Sequence, residues 1–316
     1  MRTRIIVAAG LLVLGLSACA LYPDRYDDED APRHAPIVPV TSKRPVVALA
    51  LGSGGARGFA HVGAIKALEA GGVVPDIVVG ASSGAVVAAL YAGGLDAKGL
   101  ERIAIDLDKD SLVDFVLFGK GWVRGEALQD FVNDALGGRP IEKLSRHFAV
   151  AATRASDGEG IFFNRGNTGV AVRASASVPN LFIPPVIRGE EYIDGGLTSP
   201  VPVALARKMG ADVVIAVDVS WFAQARINGG DDMERARRRP RLALLNEELA
   251  RADVVITPDT GRTRMLDFDR KFDNIAAGEA AAREPLPKIR ERIARAAADK
   301  RWLTRLRAQS GALAGE

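Results

Sequence analysis

Short apolar runs alternate with longer segments of helical period along most of this chain, and glycine or proline marks the junctions. Val46–Leu51 is continuously apolar, bounded by Pro45 and Gly52, and predicts a buried strand. Gly58–Ala70 predicts a helix, closed by Gly71-Gly72. Ile77–Val79 predicts a second strand and Ser83–Tyr91 a second helix, closed by Gly93-Gly94. Helices follow at Ala97–Leu107 and Glu126–Leu136, then strands at His147–Thr153 and Gly160–Phe163. Val170–Ala176 predicts a short helix stopped before Pro179, and Val186–Ile193 a hairpin turning at Arg188-Gly189. Pro202–Lys208 is helical in pattern, Asp212–Val217 and Val254–Thr257 are strand-like, and Leu286 to Leu306 is a basic amphipathic helix. Residues 223 to 241, with Gly229-Gly230 and five arginines from Arg235 to Arg241, predict a mobile loop. Strands that alternate with helices imply an α/β fold with a mostly parallel sheet covered on both faces.

The ends of the chain change that picture. Met1-Arg2-Thr3-Arg4 is basic, and Ile5 to Leu16 is an apolar run too short for a confident membrane span. Leu16-Ser17-Ala18-Cys19 follows and resembles the lipobox of bacterial lipoproteins, in which the cysteine is lipidated and becomes the first mature residue. Residues 1–18 are then a signal peptide. An ordinary secretory leader or an uncleaved anchor, with an incidental cysteine, is the alternative. Cys19 is the only cysteine, so no intramolecular disulfide forms. Ala20, in place of Asp, favours the outer membrane facing the periplasm by resemblance to Gram-negative sorting. Residues 19–45, rich in Asp and Pro, predict a disordered tether. The catalytic core is expected over 46–208, with 209–316 completing or covering the same domain.

The chain has 316 residues, 48% of them apolar, enough for a substantial core. Its formal charge of +3 includes Arg2 and Arg4; the remaining 40 basic and 39 acidic side chains nearly cancel. With no zinc-finger spacing or aromatic RNA-binding motif, nucleic acid is not an expected partner. No calcium-binding loop is present, and neither metal nor cofactor is expected.

Two glycine-rich turns carry the candidate chemistry. Gly80-Ala81-Ser82-Ser83-Gly84 fits Gly-x-Ser-x-Gly, which puts a serine on a tight strand-to-helix turn with its hydroxyl projecting outward. Ser82 is the middle residue, and Ser83 only starts the helix. The earlier turn, Gly52-Ser53-Gly54-Gly55-Ala56-Arg57-Gly58, is neither a dinucleotide fingerprint nor a P-loop. Arg57 takes the third glycine's place, and no Gly-Lys-Ser/Thr follows. What remains is a run of small residues whose amides, at Gly54, Gly55 and Ala56, point toward a helix start and suit an oxyanion. Arg57 either adds positive charge there or shapes the loop through a salt bridge.

A serine nucleophile needs a base. The chain has three histidines, His34, His61 and His147, and none follows Asp194. A Ser–acid–His order therefore requires His147 with one of Asp106, Asp108, Asp110 or Asp114. Asp194, in Asp194-Gly195-Gly196 at a strand end, is the better base, although a plain turn aspartate fits the same context.

Together with Ala174-Ser175-Ala176-Ser177-Val178-Pro179, Phe182 and Pro184, these blocks resemble the patatin-like phospholipase family over residues 46 to about 208. The resemblance implies a three-layer α/β/α fold and a Ser–Asp dyad of Ser82 and Asp194 without histidine. It assigns Gly54, Gly55, Ala56 and Arg57 to the oxyanion hole, with Gly52, Gly58, Gly80, Gly84, Gly195 and Gly196 as motif glycines. The family's oxyanion motif often starts with three glycines; Ser53 replaces the first here, which keeps the amide. The implied activity is hydrolysis of phospholipid or lysophospholipid esters. The alternatives are a catalytically weak lipid-binding envelope lipoprotein and a serine peptidase or thioesterase. The apolar stretch Leu112-Val113, Phe115 to Phe118 and Trp122 suits an acyl pocket, a lid or a packed helix edge. The C-terminal helix suits either an anionic bilayer or its own domain. Oligomeric state is not legible.

Overall fold

The computed structural model describes residues 24–108, 112–116, 121–237 and 240–313. The leader and Cys19 lie outside the described residues.

Nine strands form one sheet: β1 Arg25–Tyr26, β2 Val47–Leu51, β3 Ile77–Gly80, β4 His147–Arg154, β5 Gly160–Phe163, β6 Val186–Ile187, β7 Glu190–Asp194, β8 Val213–Val217 and β9 Val254–Ile256. Hydrogen-bonded neighbours run β1-β6-β7-β4-β3-β2-β8-β9, with β5 on β4. β4, β3, β2, β8 and β9 are parallel, while β5 and β7 join β4 antiparallel. Eleven helices are described: α1 Phe59–Ala70, α2 Ser83–Ala92, α3 Ala97–Asp106, α4 Glu126–Leu136, α5 Thr168–Ala176, α6 Val203–Lys208, α7 Trp221–Asn228, α8 Gly230–Arg237, α9 Arg241–Ala250, α10 Lys271–Arg283 and α11 Leu286–Leu313.

The central strands β2, β3 and β8 are buried and free of polar side chains because both faces of the sheet are covered there. Val47, Leu49 and Leu51 of β2 pack into one layer, with residues of α1 to α5 and α10. Val46, Ala48 and Ala50 pack into the other, with α6, Phe222 and Leu245. This is the three-layer α/β/α arrangement. β8 and β9 extend the sheet beyond β2, so residues after 208 belong to the same sheet as the core.

The register of β4 fixes the key geometry. Val150 pairs with Gly80 of β3 and with Phe163 of β5, so those strands flank β4 on opposite edges. Ala152 pairs with Ile161 of β5 and Asp194 of β7, so β7 takes the edge that β3 vacates. Ser82 lies two residues past Gly80, and Asp194 pairs two residues past Val150. Both arrive in the same row.

Two expectations are corrected and one open alternative is decided. The segment from Asp24 to residue 45 is an ordered strap. β1 pairs with β6, Ala31 is buried, and Val40 N–H donates to Met209 O at 2.8 Å. Its prolines exclude helix but suit an extended chain, and its polar groups find partners such as Asn164, which exchanges hydrogen bonds with Ala35. Residues 223 to 241 are mostly helical rather than a loop. Ser220 caps α7 by accepting from Ala223 N–H at 3.1 Å, and Arg226 pairs with buried Asp218 at 2.6 Å. The C-terminal helix docks on its own domain: Ile289 is buried, and Lys300 bonds Ser42 O and Arg44 O at 3.1 and 3.2 Å.

α1 and α10 touch backbone to backbone. A Cβ on Gly63 would lie 1.8 Å from Ile275 O, and one on Gly278 would lie 1.9 Å from Ala60 O. Gly63→Ala is expected to force the helices apart and cost about 1–3 kcal/mol, read as a fall in the urea midpoint. An unchanged midpoint would refute this close packing.

Candidate active site

β3 ends in Gly80, and the chain reverses sharply into α2. Ser82, at the turn, has φ 54° and ψ −125°. This is a left-handed conformation for a non-glycine residue and costs on the order of 1–3 kcal/mol. Its amide donates to Ser175 Oγ at 2.9 Å, which holds the strained turn. The turn packs tightly on the sheet: a Cβ on Gly80 would lie 2.5 Å from Gly84 O, and one on Gly84 would lie 2.3 Å from Leu51 O. Ser83 Oγ is buried on α2 with no hydrogen-bond partner, against Gly58.

β7 delivers Asp194. Its amide donates to Ser177 O at 2.9 Å, its carbonyl accepts from Thr153 Oγ1 at 2.9 Å, and Oδ1 accepts from Gly196 N–H at 2.7 Å. Gly195 lets the turn lie against β4, where a Cβ would sit 2.1 Å from Ala151 O; a Cβ on Gly196 would strike Ser53. Asp194 is 6% exposed. Burial pushes its pKa up to about 6, opposed by a hydrogen bond from the Ser82 hydroxyl, by the Gly196 amide and by the positive charge of Arg241.

The glycine loop forms the facing wall. Gly52 N–H donates to Val217 O and Ser53 N–H to Pro200 O, fixing the loop's start. Gly52 itself has no room for a Cβ beside Val201. The Gly54 and Gly55 amides make no hydrogen bond to the protein among the described residues. Two expectations change here. Ala56 N–H donates to Met265 O at 2.7 Å, so this amide is occupied. Arg57 lines the same cavity, but its guanidinium is held by backbone carbonyls, donating from Nε to Val219 O and from Nη1 to Thr263 O, both at 2.9 Å. It braces the loop against two backbone segments, and with no carboxylate among these bonds it is not the salt bridge expected as the alternative.

Histidine is absent from the site. His147 pairs with Ile77 at the start of β3, at the opposite end of the strands from Ser82, which removes the His147 triad. His61 is fully buried, its Nε2 bonded to Gly52 O at 2.8 Å. Burial lowers its pKa to about 4, so it is neutral and braces the glycine loop.

Ser82 and Asp194 open on a cavity of about 630 Å³ shared with Gly54, Gly55, Arg241 and Met265. A second, almost wholly apolar pocket meets it at Gly55 and runs between α1, α2 and α3, lined among others by Val87, Leu100, Leu112 and Phe268. Leu112 and Val113 are thus buried, whereas Phe115 and Trp122 are exposed; Leu117 and Phe118 lie outside the described residues. Arg241 escaped the sequence reading because it sat in an apparent loop. Ser175 and Ser177 stood in a recognised block, but their hydrogen-bonding roles need tertiary partners to be seen.

A strained serine beside a buried carboxylate and a glycine loop, on a mostly parallel α/β sheet, is an arrangement of the kind serine acyl transfer requires. Residues 49–207 match the model of the patatin-like phospholipase family, described as "Patatin-like phospholipase", and the chain belongs to that family. An uncharacterized NTE family protein of Mycobacterium tuberculosis is 38% identical over 185 residues, covering 57% of this chain and 50% of that protein. A second one from the same species is 33% identical over 271 residues, covering 75% and 46%. A lysophospholipase of Coccidioides immitis is 34% identical over 187 residues, covering 55% of this chain and 11% of its own length. The chain spans about half the length of the mycobacterial relatives. Among solved structures, VipD from Legionella pneumophila matches with a TM-score of 0.51 at 16% identity, covering 83% of this chain and 71% of that one, which supports the fold.

The raised pKa has a stability consequence. Below pH 3.8 Asp194 is protonated both folded and unfolded, and burial costs nothing extra. As pH rises toward about 6 the unfolded state ionises first, and above about 6 the native state holds an unfavourable buried charge. The difference between 3.8 and about 6 corresponds to about 3 kcal/mol. Asp194→Asn is expected to raise stability at pH 8 by up to that amount and to leave it unchanged below pH 4, measured by urea unfolding. An equal effect at both pH values would show that the carboxylate is not desolvated. Arg241→Gln is expected to move the Asp194 titration upward, read by carboxyl NMR.

Proposed function

We propose that this protein is a serine acyl hydrolase that releases fatty acids from phospholipids or lysophospholipids. The observation that carries the reading is the strained Ser82 set against buried Asp194, with unpaired Gly54 and Gly55 amides across the same cavity.

Asp194, ionised above about pH 6, takes the Ser82 proton as Oγ attacks the ester carbonyl. The Gly54 and Gly55 amides hold the oxyanion, each worth about 3–4 kcal/mol in such a site. The tetrahedral adduct collapses, Asp194 returns the proton to the departing alcohol, and an acyl-serine remains. Water then attacks the acyl carbon, giving one proton to Asp194. The second collapse expels Ser82, which regains that proton, and the fatty acid departs. No charge has to be relayed through histidine because burial has already raised the basicity of Asp194.

The apolar pocket that meets the cavity at Gly55 suits an acyl chain, and Arg241 at the cavity wall suits an anionic head group. The family membership and the lysophospholipase name of one relative support a lipid ester over a peptide or thioester. We further propose that lipidated Cys19 holds the domain at the envelope, probed by labelled palmitate, which should mark the wild type and not Cys19→Ser.

Ser82→Ala is expected to lower kcat for p-nitrophenyl esters at least 1,000-fold, and Asp194→Asn at least 100-fold. Retained turnover in Ser82→Ala would overturn the nucleophile. A folded, lipid-binding wild type without turnover would favour the lipid-binding lipoprotein. Val87→Phe, which fills the apolar pocket, is expected to raise the preference for butyrate over laurate esters about tenfold or more. An unchanged ratio would place the acyl chain elsewhere.

A further inference from the structure

The strap is fastened to the helix that backs Ser82 and Asp194 by a buried charge. Arg173, on α5, has no exposed surface. Its Nη2 donates to Asp24 Oδ2 and to Arg124 O, both at 2.7 Å. Its Nη1 donates to the Tyr26 hydroxyl at 2.7 Å and to Gln129 Oε1 at 3.3 Å. Tyr26 donates in turn to Gln129 Oε1 at 2.6 Å. Asp24 also accepts from Arg124 Nη2 at 2.9 Å. Burial would raise the Asp24 pKa, but hydrogen bonds from Arg124 and Arg173 outweigh it and hold the carboxyl below its ordinary range. Asp24 is therefore an anion at any working pH and the carboxylate that neutralises Arg173.

The same short stretch of α5 holds both reacting groups. Ser175, two residues beyond Arg173, accepts the Ser82 amide on its hydroxyl at 2.9 Å. Ser177, four residues beyond, accepts the Asp194 amide on its carbonyl at 2.9 Å. Ser177 Oγ closes the loop by donating to Arg173 O at 2.8 Å. A displacement of Arg173 must therefore move the supports of Ser82 and Asp194 together. Without Asp24 the hydrogen bonds of the buried guanidinium would all go to neutral acceptors; Glu126, paired with Arg124 at 2.9 Å, would be the remaining carboxylate nearby, and Arg173 would be drawn toward it or toward water, carrying the end of α5 with it.

We propose that Asp24 is a positioning residue for the Ser82–Asp194 pair, so that the strap preceding the catalytic core is part of the catalytic apparatus. The inference rests on the hydrolase reading for its kinetic consequence and on geometry alone for its structural one. Errors of about 1 Å in a reacting pair cost about 100-fold in rate.

The test is Asp24→Asn in the full-length protein, isosteric but uncharged. The kcat for a soluble ester is expected to fall about 30- to 100-fold with KM changed less than threefold. Asp24→Glu is expected to recover at least a third of the wild-type kcat. Independently of turnover, the Asp194 carboxyl titration, followed by carbon NMR, is expected to fall from about 6 toward the ordinary range as the site loosens and admits water. A folded Asp24→Asn with unchanged kcat or an unchanged Asp194 titration would overturn the proposal. A wild type that does not turn over, yet whose Asp194 titration moves in Asp24→Asn, would sink the hydrolase reading and keep the positioning role. Should Asp24→Asn fail to fold, Tyr26→Phe keeps the ion pair and removes one hydroxyl. It is expected to lower kcat 3- to 10-fold and shift the same titration, and no change in either would overturn the proposal.

Discussion

The site depends on one strand being shared. β4 gives the first half of an edge to β3 and the second half to β7, running the opposite way. A parallel strand that ends in a turn and an antiparallel strand that ends in an acid thus meet head to head in one row. Ser82 and Asp194 come from segments more than a hundred residues apart, yet backbone pairing sets their level before any side chain contributes. The glycines follow from the same constraint. With the turn after β3 and the turn after β7 both pressed on neighbouring backbone, a Cβ at Gly84 or Gly195 has no space. These glycines are there for close approach, and most of them for nothing more exotic.

Burial then decides the chemistry. The row opens on the cavity but is otherwise packed in, so Asp194 is nearly fully enclosed, and desolvation raises its pKa to about 6. The same enclosure keeps His61 neutral on the far side of the glycine loop. An acid made more basic and a histidine made less basic leave the carboxylate as the group suited to take a proton near neutrality. Stability is lost at Asp194 and at the strained Ser82 backbone, and the hydrogen bonds that Ser175 Oγ and Ser177 O accept and Thr153 Oγ1 donates carry that load.

What the sequence makes legible follows the range of the interactions. Val46–Leu51 and Ile77–Val79 read correctly because burial on both faces leaves a continuous apolar signature. The turns that carry Ser82 and Asp194, a strand-to-helix junction and a glycine-closed strand end, were legible through local turn chemistry. The glycine loop was only half legible. Nothing near Ala56 in sequence announces that Met265 will take its amide, or that Val219 and Thr263 will take the Arg57 guanidinium. Residues 223 to 241 misled because arginines and paired glycines look solvated when the partner of Arg226, buried Asp218, is judged only as another charge.

The strap is the sharpest case of this limit, and it changes the picture of how the domain sits. Composition counts Asp24 as one more acid in a solvated, proline-rich run, but its partner, Arg173, lies 149 residues away. Paired, the acid no longer argues for disorder; it anchors the run. A free tether up to the core would reach about 80 Å when extended. With the chain fastened from Asp24, only the steps from Cys19 to Asp24 remain, at most about 18 Å. A lipid on Cys19, as proposed, then keeps the β1–β6 edge near the bilayer. This edge continues through β7 to Asp194, so one covalent anchor would limit how far the site can stand from its lipid.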